Sequence, residues 1–176
     1  MKKQILILLL IPNCLIGFSQ QEITSQDSIN IIKKADNRVL SLRKQLKKYW
    51  IDESIDFASD TCRIETIEFE KMEIDYSTLG MNVAISESKY QYDKLLNKYY
   101  KKLVAKLEGS DKEILKQTQR DWIRFRNSEY KLGFLLSEEK YSGGGTMQSI
   151  NRNMLGKILT KNRLIEIYHH YLGLIP

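Results

Sequence analysis

The residues that most often perform catalysis are present in this sequence, but their spacing does not assemble a catalytic site. His169 and His170 are adjacent, so on a helix they point about 100° apart and cannot share one metal ion. Glu166 lies one turn before His170, and a solvated surface pair explains this spacing better than a two-ligand site does. No serine or cysteine has a histidine in a recognisable nucleophile–base pattern. The sequence therefore predicts no catalytic, cofactor-binding or metal-binding residues.

Two other parts of the sequence could form a catalytic or anion-binding site: the acidic segment 52–75 and a run of three glycines. None of the carboxylates in the segment is flanked by residues that would raise its pKa, as acid–base catalysis requires. Gly143, Gly144 and Gly145 precede a predicted helix, where backbone amides can bind an anion. However, no lysine follows and no strand precedes, as a phosphate-binding loop requires. We interpret the run as a helix connection in which glycine supplies positive φ angles.

A set of larger polar and aromatic residues lies on or beside the apolar stripes of the predicted helices. The set consists of Asp93, Asn97, Gln119, Trp122, Arg126 and Arg163. Polar groups near a core must find partners, or each costs ~1–3 kcal/mol. We interpret the set as a cross-helix polar network that fixes the register of the helices, with a ligand pocket as the alternative.

The elements that position these residues are predicted to be long helices. The sequence has only 2 Pro and 9 Gly in 176 residues, and apolar residues recur at helical spacing. The period extends over residues 28–50, 79–107, from 110 to about 136, and 146–172, while 52–76 has a mixed period that favours helix. The apolar face of 79–107 includes Val83 and Tyr90, and Ser77 and Ser110 are predicted N-caps. We expect an all-α antiparallel helical bundle of four to five helices with a long central helical hairpin.

The first 19 residues have the organisation of a secretory signal peptide. Lys2 and Lys3 precede an apolar run, and Gly17 and Ser19 are small residues at the expected cleavage site. The apolar stretch 5–18 is shorter than the ~20 residues that span a bilayer. We expect export to the periplasm or the medium; lipid attachment at Cys14 is the less favoured alternative. The remaining chain divides into a basic helix at 20–50 and a helical domain at 51–176, with no integral membrane segment.

Several short motifs occur in an order that is similar to a known family. They are a Thr-x-x-Met element at 78–81, the segments 93–100, 119–126 and 160–164, and Gly-Gly-Thr at 144–146. Together they resemble the LprI-like lysozyme inhibitor family over residues 57–172. The resemblance implies an exported helical protein that binds and inhibits lysozyme without catalysis. It places the polar network at motif positions of the scaffold, and it leaves Ala84, Tyr130 and a residue near Asn153 where many members carry paired cysteines.

Inhibition of lysozyme requires complementary charge, because animal-type lysozymes are cationic and their cleft holds two carboxylates. The acidic segment 52–75 is the predicted complementary surface. A flexible loop at 137–145 is the segment predicted to enter the cleft, through Glu138, Glu139, Lys140, Tyr141, Gly143, Gly144 and Gly145. The alternative is a module that binds an anionic cell-wall or membrane component through the basic helix 28–50 and the basic C-terminal half. No nucleic-acid partner is predicted.

Overall fold

The computed structural model describes residues 21–175, and this part of the chain contains six helices and no strand. The helices are α1 (Ser25–Leu46), α2 (Asp52–Ile74), α3 (Thr78–Lys106), α4 (Gly109–Leu136), α5 (Glu139–Ser142) and α6 (Met147–Leu172). The predicted all-α fold class is confirmed. The predicted signal peptide, including Cys14, lies outside the described residues. Within 21–175, no helix is long and apolar enough to cross a membrane.

Local capping explains where two of the helices begin. α1 starts earlier than predicted because Thr24 and Asp27 form a capping box, in which Asp27 N donates to Thr24 Oγ1 at 3.1 Å and Thr24 N donates to Asp27 Oδ2 at 3.0 Å. The predicted Ser77 cap is confirmed, since Ser77 Oγ accepts from Gly80 N at 3.0 Å. These side chains satisfy amides that have no partner within the first helical turn.

The predicted N-cap at Ser110 is wrong. α4 already begins at Gly109, and its N-cap is Glu108, which makes no side-chain capping bond. The backbone is extended only at Leu107 and Glu108, so the connection from α3 is shorter than the sequence suggested and Ser110 lies inside the first turn. The short helix α5 was also not predicted, because four residues are too few to show a helical period.

The most extensive helix contact is between α3 and α6. The two helices run parallel, since Asn82 Nδ2 donates to Ser149 Oγ at 2.8 Å near their starts and the rings of Tyr99 and Tyr168 meet at 5.3 Å near their ends. α2 packs antiparallel on α3, α1 packs on α2, and α4 packs on α6. The sequence instead suggested that α3 and α4 would be the central neighbours, because a short turn joins them.

Aromatic rings fill the centre of the core between α2, α3 and α6. Phe57 stacks on Tyr168 with ring centroids 3.7 Å apart, and Tyr99 meets both rings edge-on at 5.3 Å. Tyr92 and Tyr99 are both fully buried, and burial raises the pKa of each phenol. Their hydroxyls differ: Tyr92 Oη donates to Glu65 Oε1 at 2.9 Å, whereas Tyr99 Oη has no hydrogen-bond partner among the described residues.

This difference predicts opposite outcomes for two chemically identical changes. Tyr92→Phe removes a partly buried hydrogen bond to a carboxylate and lowers the free energy of unfolding by about 1–2 kcal/mol. Tyr99→Phe removes a hydroxyl without a partner, so stability is unchanged or increased. Urea denaturation followed by circular dichroism measures both variants. A loss at Tyr99 equal to the loss at Tyr92 would show that the Tyr99 hydroxyl is paired in solution.

Most carboxylates of α2 are bound to cations of the neighbouring helices. Cross-helix ion pairs join Glu53–Lys102, Asp56–Arg43, Asp60–Lys98, Glu65–Lys161, Glu68–Lys157 and Glu70–Lys34. The Lys157–Glu68 pair, at 2.6 Å, is the most buried of these. The segment 52–75 is therefore largely a surface for packing within the bundle. The prediction that it forms a free acidic surface for a partner is not supported, because the cations of α1, α3 and α6 already neutralise it.

The carboxyl group of Glu65 on α2 makes the stability of the protein depend on pH. Burial raises the pKa of Glu65, but hydrogen bonds from Lys161 and Tyr92 outweigh it and hold the pKa below its ordinary value. The unfolded chain then binds the proton more tightly, so this stabilisation is present above about pH 4.5 and is lost as the pH falls through the folded-state pKa. Urea denaturation between about pH 7 and 3 should show this loss, and Glu65→Gln should reduce it. Glu73→Gln, an exposed site on the same helix, is the control.

Candidate functional site

The predicted polar network divides into two clusters in the structure. The first joins α3 to α4 and lies at the surface. Asn97 Nδ2 donates to Asp93 Oδ2 at 3.3 Å, and Arg126 Nη1 donates to Asp93 Oδ1 at 3.4 Å. The Asp93 side chain is 46% exposed and Asn97 is exposed, so both are in contact with water. An ion pair in this setting contributes little to stability.

The second cluster joins α4 to α6 and is buried at its centre. The Arg163 side chain is only 8% exposed; its Nε donates to Gln119 Oε1 at 3.1 Å and its Nη1 donates to Glu166 Oε2 at 2.9 Å. Glu166 was not predicted as a member, although its spacing of three residues from Arg163 on one helix indicates a pair. Arg163 is therefore the best-satisfied cation of the predicted set.

Trp122 lies between the two clusters. The guanidinium carbon of Arg126 is 4.8 Å from the centre of a Trp122 ring, and that of Arg163 is 6.0 Å away. Each arginine thus contacts the indole as a cation–π partner. Asp93 and Asn97 do not hydrogen-bond to Gln119, and Arg126 Nε is buried without a partner among the described residues. Gln119, Trp122 and Arg126 thus lie on one face of α4, where Arg126 contacts α3 and Gln119 contacts α6 through separate polar interactions.

The loop predicted to contact a partner projects between α4 and α6 and contains α5. Lys140 Nζ is 3.0 Å from Glu138 Oε2 and lies over the ring of Tyr141 at 4.8 Å. Tyr141 is 58% exposed, and Glu138, Glu139 and Lys140 are also exposed. The φ angles of Gly143, Gly144 and Gly145 are 74°, 78° and 95°, which confirms that glycine supplies positive φ here.

The base of this loop is held by hydrogen bonds, so it is more ordered than the sequence suggested. Ser142 Oγ donates to Ser137 O at 3.1 Å and accepts from Gly144 N at 3.1 Å. Arg152 Nη1 of α6 donates to Ser137 Oγ at 2.7 Å. These bonds close the loop on Ser137 and tie Ser137 to α6, while Lys140 and Tyr141 remain exposed.

A cleft of about 240 Å³ lies beside the loop, between α3, α4 and α6. Its walls include Asn82, Lys89, Tyr130, Arg152 and Asn153. Asn153 Nδ2 donates to Asn82 Oδ1 at 2.6 Å, which ties α6 to α3 at the floor. The sequence did not predict this cleft, because its lining residues are distant in the chain. Tyr130 and the region of Asn153, two of the positions where the resemblance places family cysteines, meet here.

The fold and these features define a helical bundle with a projecting, ordered loop. Residues 21–175 contain no group of three or more His, Cys, Asp or Glu side chains arranged to hold a metal ion. A family model described as lysozyme inhibitor LprI matches residues 70–167, more than half of the chain. The chain therefore belongs to the lysozyme inhibitor LprI family. No curated protein and no solved structure gives a significant match.

Family membership confirms the resemblance seen in the sequence, over a shorter span than the predicted 57–172. All six residues of the predicted polar network and the whole 137–145 loop lie inside the match. α1, and α2 up to residue 69, lie outside it. The family-matched segment therefore comprises the last five residues of α2, all of α3, α4 and α5, and most of α6. The rest of α2 packs on α3 from outside the match.

The two polar clusters predict a clear order of stability effects. Arg163→Met removes two hydrogen bonds at a buried guanidinium and lowers the free energy of unfolding by about 2–3 kcal/mol. Arg126→Met loses a long, half-exposed pair and keeps an apolar contact with Trp122, so it costs less than about 1 kcal/mol. Thermal and urea denaturation of both variants measure the difference. An equal or larger loss for Arg126→Met would contradict this order and would make the Asp93 cluster the stronger tie.

Proposed function

We propose that this protein is exported and that it binds and blocks a lysozyme-type muramidase without catalysing a reaction. The observation that carries the proposal is membership of the lysozyme inhibitor LprI family. The organisation of residues 1–19 as a signal peptide supports export, because the substrate of a lysozyme lies outside the cytoplasmic membrane. The geometry then supports one contact surface over the others.

That surface is the loop of residues 138–145. Its base is tied to α4 and α6, because Ser142 Oγ donates to Ser137 O and Arg152 Nη1 donates to Ser137 Oγ. A loop ordered before binding loses less conformational entropy in the complex. Tyr141 offers a large exposed ring of the type that anchors protein interfaces. The segment 52–75 is less suitable, because most of its carboxylates are already paired within the chain.

Lys140 gives the loop a group that suits the cleft of a lysozyme. In the free protein it pairs with Glu138, but both side chains are more than half exposed, so this pair is weak. Carboxylates in a lysozyme cleft would be stronger partners for the ammonium group, because the cleft excludes water. The exchange would release Glu138 toward the cationic rim of the enzyme. Lys140 and Tyr141 together are therefore the proposed inhibitory pair.

The test is a cell-wall turbidity assay with an animal-type lysozyme and the purified chain from residue 20 onward. We expect inhibition by the native chain, and a loss of at least about tenfold in apparent affinity for the double variant Lys140→Ala, Tyr141→Ala. The control is Tyr90→Ala, Lys94→Ala on α3. This is a matched pair, since Tyr90 is also 58% exposed and Lys94 Nζ lies 4.5 Å from its ring centre. The control variant should inhibit as the native chain does.

The possible outcomes distinguish whether the protein inhibits lysozyme from whether the 138–145 loop is the surface that does so. Absence of inhibition by the folded native chain at about tenfold molar excess would contradict lysozyme inhibition. Inhibition that survives the Lys140, Tyr141 double variant would retain the function and reject the loop as its surface. Circular dichroism of each variant establishes that the bundle remains folded.

A further inference from the structure

The turn between α1 and α2 presents three consecutive large side chains to solvent. α1 ends at Leu46 and α2 begins at Asp52. Between them, Tyr49 is 74% exposed, Trp50 51% and Ile51 52%. Single exposed apolar residues are common on proteins, but a contiguous exposed group of this kind marks an interaction site. We call residues 44–51 the tip.

Uncompensated positive charge surrounds the exposed rings of the tip. Lys44, Lys47 and Lys48 are exposed and make no ion pair within the described residues. Of the nearby acidic groups, Asp56 is paired with Arg43, which leaves the exposed Asp52 as the carboxylate next to the tip. The three lysines therefore exceed the free negative charge beside them.

The tip belongs to a basic end of the bundle. Lys102 Nζ of α3 is 2.5 Å from Glu53 Oε1, and Tyr168 Oη of α6 donates to Ser54 Oγ at 2.9 Å. These contacts place the last turns of α3 and α6 beside the start of α2. Further exposed side chains occur at this end: the lysines Lys101 and Lys106, the apolar Leu174, and the acidic Glu108 and Asp111 at the start of α4.

We propose that the tip binds the surface of an anionic phospholipid membrane. Trp and Tyr partition to the headgroup region, where one side of the ring is apolar and the other is hydrated. Lysines next to them gain from the negative potential of anionic lipids. Ile51 adds aliphatic surface that reaches the acyl boundary. The three side chains project from a turn and line no groove, so the tip suits a lipid surface better than a glycan chain.

The tip and the 138–145 loop lie at opposite ends of the bundle. The tip is beside the end of α6, and the loop leads into its start. α6 has 26 residues, which corresponds to about 39 Å of helix. A molecule bound to a membrane through the tip therefore directs the loop away from the lipid. The tip is also outside the family-matched residues 70–167, so the inference does not depend on the proposed inhibition.

The test is co-sedimentation of the chain from residue 20 onward with vesicles of phosphatidylcholine containing about 30 mol% phosphatidylglycerol, at about 0.1 M and about 0.5 M salt. We expect binding that is absent with pure phosphatidylcholine and weaker at the higher salt. The triple variant Lys44→Gln, Lys47→Gln, Lys48→Gln should bind roughly a hundredfold more weakly, at about fivefold per lysine. Trp50→Ser should lose on the order of tenfold.

A matched control variant distinguishes the effect of the tip lysines on vesicle binding from the effect of the net charge of the protein. Lys33, Lys94 and Lys131 are exposed and make no ion pair within the described residues, and they lie away from the tip. Changing these three to Gln removes the same charge and should weaken binding far less. Tryptophan emission should shift to the blue when vesicles are added to the native chain. The shift should be absent in Trp50→Ser, which retains Trp122.

Three results would overturn the proposal. The first is absence of binding to the anionic vesicles at the lower salt. The second is equal loss of binding in the tip and control triple variants, which would assign the effect to net charge. The third is binding to lipid-free peptidoglycan in preference to vesicles, which would assign the tip to a glycan. Tip variants that still inhibit lysozyme would show that the two surfaces act independently.

Discussion

The parallel packing of α3 against α6 is the contact on which the rest of the bundle depends. α2 reaches the core by packing on α3, α4 by packing on α6, and α1 mainly by packing on α2. The aromatic group of Phe57, Tyr99 and Tyr168 fills the space where α2 meets this central pair. Close-packed rings leave little room for a helix to shift along its neighbour. The register of α2, and through it that of α1, therefore follows from the α3–α6 contact.

The distribution of charge follows from the same architecture. The chain carries a net charge of +6. Its acidic helix, α2, nevertheless forms ion pairs with lysines of α1, α3 and α6. Pairing half-exposed charges contributes little free energy per pair, yet like charges in these positions would repel one another. Most carboxylates of the acidic segment 52–75 are thus paired with cations of the same chain. Part of the positive charge that remains lies at the tip, on the exposed side chains of Lys44, Lys47 and Lys48.

The molecule presents different chemistry at its two ends. One end carries an ordered loop with an exposed tyrosine, Tyr141, and the other carries the aromatic and basic tip around Trp50. The two polar clusters of α4 lie between these ends, and their hydrogen bonds link α4 to α3 and to α6. This separation supports the interpretation of Asp93, Arg126 and Arg163 as scaffold, as the sequence had indicated.

The sequence by itself determined the helical class, most helix bounds, the Ser77 cap, the positive φ angles of the glycine run and the family. These properties depend on local periodicity and on the backbone preferences of single residues, which a sequence displays directly. Only the tertiary structure decided which faces are covered. Val83 and Tyr90 belong to an apolar stripe yet are exposed, because α2 and α6 cover the other sides of α3. The parallel α3–α6 pair, the partners of the α2 carboxylates, the cleft beside the loop and the exposure of the tip likewise arise from contacts between residues far apart in the chain, which no local pattern encodes.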